Sequence, residues 1–430
     1  METLAITGGR VLHPDGRVTE SDVLVDRESG TIEAVGPDLE GDETLDADGG
    51  LVMPGLVNAH THVAMSLLRG YADDKELDAW LQEDIWPIEA ELTPDDIEVG
   101  AELGVLEMIK SGTTAFADMY FHVDHIAEVV DRAGVRARLG HGIVTVGKDE
   151  EDARADVEEG IEVATSLDGA AEGRVRTAFM PHSLTTVSEE LLAEGLDLAS
   201  AHDVPVHLHA NETEDEVTPI VDEHDERPMA YAEALGALGE GNFFAHGVHL
   251  DDTEIGLLAE TDTSIIHCPA SNMKLASGIA PVQRLHDAGV TVGLGTDGPA
   301  SNNDLDLFDE MRDAAMVGKL GADDASAVPA GDVVEMATAG GAEAIGLPGG
   351  RVEPGAAADL VVVDLDAPHL TPVHNVVSHL AYAARGSDVR HTVCDGEVLM
   401  RDREVLPLDA EAVKARAAEH AADLVDRVGE

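Results

Sequence analysis

The chain has 430 residues, 44% of them hydrophobic, which is enough to build a large core. Acidic residues number 87 against 26 basic ones, a net charge of −61. That balance leaves no basic stripe to meet phosphates, so nucleic-acid binding is excluded. No apolar run reaches the roughly 18 residues of a membrane helix, and the N-terminus METLAITGGRVLHPDG lacks the form of a secretion signal. The acid is spread along the whole chain, on a patterned and apolar-rich sequence. This points to a folded protein adapted to very high salt, where the Debye length shrinks to a few Å and self-repulsion is screened. Two cysteines, Cys268 and Cys394, make neither a disulfide framework nor a cysteine zinc site, and a cytoplasmic location is expected.

In chain order, residues 1–50 read as short strands. LAITGGRVLHPDG, DVLVDRESG and TIEAVGP are apolar runs each stopped by Gly, Asp or Pro. From residue 51 the pattern changes to alternating strands and helices. LVMPGLVNAH (51–60) is a strand, and residues 93–112 are a helix capped by Thr93, entered at Pro94 and stopped at Gly112. Strands then recur at TTAFAD, VRARLGHGIVT, VRTAFMPHS, VPVHLHANE, FFAHGVHL, TSIIHCPAS and TVGLGTDG.

Eight strands separated by helices give the count of a (β/α)₈ TIM-like barrel. An open doubly wound sheet is disfavoured because no Gly-x-Gly-x-x-Gly turn follows the first strand. Histidine or aspartate ends nearly every strand: His60, Asp118, His141, His182, His209, His246, His267 and Asp297. Barrel strand ends converge on one face, where active sites sit. After about residue 345 short strands and turns return. The predicted organisation is residues 1–54 and 346–430 forming a small β-sandwich with a closing helix, and 55–345 forming the barrel.

His60 and His62, two apart on a strand, point to one face and can grip one cation. His-x-His is weak evidence alone among 20 histidines, and His207-Leu208-His209 is a second instance. Its place at the end of the first barrel strand strengthens it. His209 offers a third nitrogen at the end of the fifth strand. Glu212, three residues on, is a carboxyl suited to proton transfer. Glu214 and Glu216 are read as surface acids and His249 as structural. Asp297, behind the apolar TVGLG, would be buried, and a buried carboxylate needs a partner such as a metal. His246 could be ligand, base or core histidine; the catalytic role is favoured, since a catalytic zinc keeps a place for water. His182 is placed against substrate.

PGLVNAHTHVAMSLLRGYADD, MPHS, HLHANETE, AHGVHL, ASNMKLASGIAPVQRL and LGTDGPASNNDLDLFDEMR together resemble the amidohydrolase superfamily, and within it the 5-methylthioadenosine/S-adenosylhomocysteine deaminases. The resemblance covers nearly the whole chain. It implies that His60, His62, His209 and Asp297 hold one divalent metal, zinc first, with iron or manganese as alternatives. It implies that Glu212, His246 and Asp297 move protons during deamination of a purine nucleoside. Glu89 would meet the ribose hydroxyls, Trp80 the base, and His182 the nucleoside. The fourth strand lacks the lysine that bridges two metals on this scaffold, so one metal is expected. Where the family carries an arginine after the third strand, this chain has His141 between two glycines, with Arg154 as a substitute further on. The resemblance also hints at a homo-oligomer. Guanine or cytosine deaminases and triazine chlorohydrolases share the metal set and are the rival readings.

Overall fold

Turn residues break the first 50 residues into short strands, and pairing then joins them to the far end of the chain. In the computed structural model, which describes residues 2–428, strand Thr3–Thr7 lies between antiparallel Asp22–Asp26 and parallel Glu43–Asp46. Thr31–Gly36 completes this four-stranded sheet. A second sheet has seven strands. In it Leu51–Pro54 pairs with the C-terminal strand Leu360–Val363, which continues through Val389–Cys394 and Glu397–Arg401. Buried Leu4, Ile6, Val23 and Ile32 of the first sheet share one apolar cluster with Val52, Leu360, Val362 and Val393 of the second. Both chain ends therefore build one unit.

Eight parallel strands form where the barrel is expected, the first shorter than the predicted 51–60 because Leu51–Pro54 joins the seven-stranded sheet. Leu56–Thr61, Thr113–Tyr120 and Arg136–Ile143 pair in sequence. The fourth is broken, with Val175–Thr177 and Met180–Pro181 both pairing to the third. His207–Ala210, Phe243–His246, Ser264–His267 and Val292–Leu294 follow. Bridges Phe179 to Val206 and Ser183 to His209 join the fourth to the fifth. A bridge from Thr61 to Asp297 joins the last to the first, so the pairing path returns to its start. Gly295 permits that return: a Cβ there would fall 2.8 Å from the His60 carbonyl oxygen. Small and apolar side chains, among them Ala59, Ala115, Ala117, Met119, Phe243 and Ile266, share a buried cluster along these strands.

The helix Pro94–Ser111 forms as its caps dictate. The Thr93 hydroxyl accepts from the Asp96 amide, Asp96 answers the Thr93 amide, and Gly112 closes it at φ 92°. The closing helix Ala410–Val428 packs on this helix rather than on the antiparallel sheets. Asp96, buried, receives Arg427 at 2.7 Å and lies 2.8 Å from the His420 ring. No described helix is long and apolar enough to cross a membrane.

Candidate active site and metal centre

Strand ends deliver imidazoles to one point, and backbone carbonyls fix how each ring faces it. His62 Nδ1 donates to Met119 O at 2.7 Å, and His209 Nδ1 donates to His182 O at 2.7 Å. His207 Nδ1 donates to Phe243 O, also at 2.7 Å, which makes its Nε2 an acceptor. His60 Nδ1 must then donate to His207 Nε2, 2.8 Å away. All three rings thus turn Nε2 inward, the arrangement that fixes metal-ligating histidines.

The inward atoms crowd together. Asp297 Oδ1 is 3.3 Å from His60 Nε2 and 3.2 Å from His62 Nε2, and the His62 and His209 Nε2 atoms are 3.4 Å apart. Donors sharing a tetrahedral ion at bonds of about 2.1 Å sit roughly 3.4 Å from one another, so these spacings fit one cation. His60 Nε2 is buried without a hydrogen-bond partner. An ion at this point would satisfy it. His246 also offers a nitrogen to this group, within 4.8 Å of donor atoms of His60, His209 and Asp297.

The electrostatics agree. Burial lowers the His60 imidazole to about 4, so it stays neutral and able to ligate. Burial also opposes charge on His62, but the Asp297 carboxylate outweighs it and pushes His62 up to about 9. A positive charge is therefore favoured beside Asp297. Asp297 itself is fixed by the Ser271 and Ser301 hydroxyls, both donating to Oδ2 at 2.6 Å. Asp297 and His246 both sit in the left-handed region, at φ 58° and 74°. Such strained backbone concentrates at functional sites.

Beside this cluster lies a cleft of about 710 Å³. Glu212 and His246 line its floor, with Glu212 Oε2 3.7 Å from His246 Nε2. His246 Nδ1 donates to Asn272 Oδ1 at 2.8 Å, leaving Nε2 with a free lone pair. Burial raises the Glu212 carboxyl above its ordinary range, and Ser277 donates to its Oε1. Trp80, Glu89 and His182 also line the cleft. Trp80 is anchored by Nε1 donating to Ala72 O, and His182 Nδ1 lies 3.1 Å from the Thr186 hydroxyl. Glu89 is on the segment Leu77–Glu89, which includes one π-helical turn, Leu81–Ile85. Such turns recur at functional sites. Burial pushes Glu89 up to about 7, and the Tyr120 hydroxyl, donating to Oε1 at 2.6 Å, pulls it back.

Two sequence expectations require correction. His141 does not line the cleft: its ring turns outward to Asp156, 3.0 Å away, and the neighbouring Gly142 lines the cleft instead. Successive strand residues face opposite sides, and a histidine between two glycines gives no apolar pattern from which to read the phase. Arg154 is no substitute, because it is exposed and paired with Glu194. Glu216 is not a surface acid. It is turned inward, and its Oε2 accepts the Glu212 amide at 2.8 Å, fixing the loop that carries Glu212. Sequence reading also missed Tyr120, Ser271, Ser301 and the buttressing role of His207. Tyr120 was within reach, standing two residues after Asp118 on one strand face.

Residues 51–399 match the model of the amidohydrolase family. The chain is 68% identical to the 5-methylthioadenosine/S-adenosylhomocysteine deaminase of Haloarcula marismortui, with 100% of each chain covered. It is 44% identical to a 5'-deoxyadenosine deaminase of Methanothermobacter thermautotrophicus, over 98% of this chain and 99% of that one. Among solved structures, a zinc-bound adenosine deaminase from Xanthomonas campestris superposes with a TM-score of 0.93 at 37% identity, covering 98% of each chain. A triazine hydrolase from Arthrobacter aurescens superposes at 0.90 with 25% identity, covering 98% of this chain and 100% of that one. The donor cluster, the cleft and these likenesses agree, and the chain belongs to the amidohydrolase family.

Proposed function

We propose that the protein is a metal-dependent aminohydrolase converting adenosine-type nucleosides to their inosine-type products and ammonia. The substrates are 5-methylthioadenosine, S-adenosylhomocysteine and, by the likeness to 5'-deoxyadenosine and adenosine deaminases, those nucleosides too. One observation carries the reading. One cleft is lined by His62, His209 and Asp297 of the donor cluster, by Glu212, whose carboxyl burial raises above its ordinary range, and by Glu89.

His60, His62, His209 and Asp297 would hold the cation, zinc by the likeness to the zinc-bound neighbour. Such an ion acts as a Lewis acid and brings the pKa of water toward neutrality. Glu212, whose protonated form burial favours, donates its proton to the ring nitrogen beside the amine-bearing carbon, which makes that carbon electrophilic. Water adds there, forming a C–O bond, and His246 takes its proton on the free Nε2. Asp297 shares that transfer through Oδ1, its Oδ2 being occupied by two serines. That proton passes to the amine, the C–N bond breaks and ammonia leaves, while the hydroxyl on the same carbon gives its proton back to Glu212, which leaves the carbonyl product and restores the acid. Glu89 accepts the ribose hydroxyls, while Trp80 and His182 wall the nucleoside.

Three supporting readings belong to this proposal. The closed path of eight parallel strands is a (β/α)₈ barrel spanning 55–345, and the paired antiparallel sheets from 1–54 and 346–430 are a β-sandwich. Both cysteines are free and buried, in keeping with a cytoplasmic enzyme. The resemblance also makes a homo-oligomer the expected assembly. Among the residues lining the cleft there is no lysine or arginine, so neutral 5'-substituents should be favoured over the zwitterionic tail of S-adenosylhomocysteine. Ammonia release from these nucleosides, guanine, cytosine and a chlorotriazine, measured in concentrated KCl, tests the proposal. Turnover confined to free bases or triazines would overturn it.

A further inference from the structure

Glu89 and Tyr120 reach the cleft from unrelated parts of the chain. Tyr120 ends the second parallel strand, and its ring is wedged against Phe121, with ring centroids 5.1 Å apart. Glu89 closes the helical segment that roofs the cleft. The Tyr120 hydroxyl donates to Glu89 Oε1 at 2.6 Å, while Oε2 takes no hydrogen bond from any described residue. A carboxylate offers about four lone-pair sites, and the tyrosine fills one. The rest stay available to two hydroxyl donors on adjacent carbons. A rigid donor on one oxygen also fixes the rotation of a carboxylate that would otherwise turn about its last bond.

We propose that Tyr120 is a positioning residue that orients Glu89 for a vicinal diol, and that this pair sets the selectivity of the cleft for intact ribosides over dideoxy analogues. The inference rests on the nucleoside reading above. It assigns Tyr120 no contact with substrate. Its effect passes through Glu89, with an added contribution from charge, since loss of the hydroxyl would leave His62 alone to oppose the rise that burial causes in Glu89.

The test compares adenosine with 2',3'-dideoxyadenosine in concentrated KCl, in the wild-type protein and in Tyr120→Phe, Glu89→Gln and the double variant. In Tyr120→Phe the ratio of kcat/KM for adenosine to that for dideoxyadenosine should fall about tenfold, the loss residing in the KM for adenosine. Because Tyr120 works through Glu89, the double variant should be no less selective than Glu89→Gln alone. Dideoxyadenosine turnover in the same samples shows whether each variant is folded and active. An unchanged ratio in Tyr120→Phe, an equal loss for both substrates, or fully additive losses in the double variant would overturn the role of Tyr120 alone. A wild-type protein that deaminates neither nucleoside would overturn the functional reading beneath it.

Discussion

Asp297 and His246 show how much chemistry this fold loads onto single residues. Asp297 faces two imidazoles with one oxygen and two serine hydroxyls with the other. His246 has one nitrogen held by Asn272 and the other free. Glu212 beside it is the proposed acid, so Glu212→Gln should cut turnover by about 10²–10⁴ while leaving nucleoside binding largely intact. Unchanged turnover would remove Glu212 from the mechanism. His207 should matter through His60: His207→Phe removes the acceptor that orients the His60 ring and should weaken metal binding about 10- to 100-fold, read by competition with a chelator. Glu89 gives a pH signature. Its carboxyl is pushed up to about 7, with Tyr120 and His62 as the groups acting on it. The ionised form accepts the diol, so KM for adenosine should fall as pH rises through about 7, and KM for dideoxyadenosine should not follow. These residues differ in how legible they were. His60, His62, His209 and Asp297 carry a spacing that chemistry explains. His207 matched the same pattern but serves as a buttress, a distinction that only ring orientation reveals. Ser271 has no sequence signature, because its partner Asp297 lies on a distant element.

At the scale of elements, local signals were strongest where backbone chemistry is decisive. Thr93, Pro94 and Gly112 marked the limits of one helix, and it forms between them. The run VRTAFMPHS predicts one continuous fourth strand, and the strand is broken between Thr177 and Met180, just before His182. No residue there is a strong breaker, so the interruption belongs to tertiary packing. Sequence order groups the closing helix with the sandwich. It docks instead through Asp96, whose partners Arg427 and His420 lie more than 300 positions away, beyond the reach of periodicity. Burial disfavours the Asp96 charge, but Arg427, Thr93 and His420 outweigh it and hold the carboxyl at about 2. A depressed carboxyl contributes stability that is present above its unfolded value near 3.8 and is lost as pH falls through about 2. Asp96→Ala should therefore destabilise the protein by about 1–3 kcal/mol at neutral pH, with the deficit shrinking in acid. Thermal melts of the two proteins across pH check this, and a constant deficit would contradict it.

For the whole molecule the charge of −61 is the dominant fact. Relatives of high identity come from halophilic archaea, including Haloarcula marismortui and Halobacterium salinarum. Cations are few and largely engaged: Arg27 alone meets Glu2, Glu43 and Glu397. The unpaired acids repel one another unless salt screens them. Melting temperature should rise steeply with KCl, and an unchanged melting temperature in dilute buffer would contradict the adaptation. The central claim is that one cation-binding cleft deaminates adenosine-type nucleosides. Ammonia release from 5-methylthioadenosine in concentrated KCl, with and without a chelator, tests it most directly. The account predicts turnover that the chelator abolishes and added divalent metal restores. Turnover indifferent to chelation, or none from any adenosine derivative by the metal-loaded protein, would contradict it.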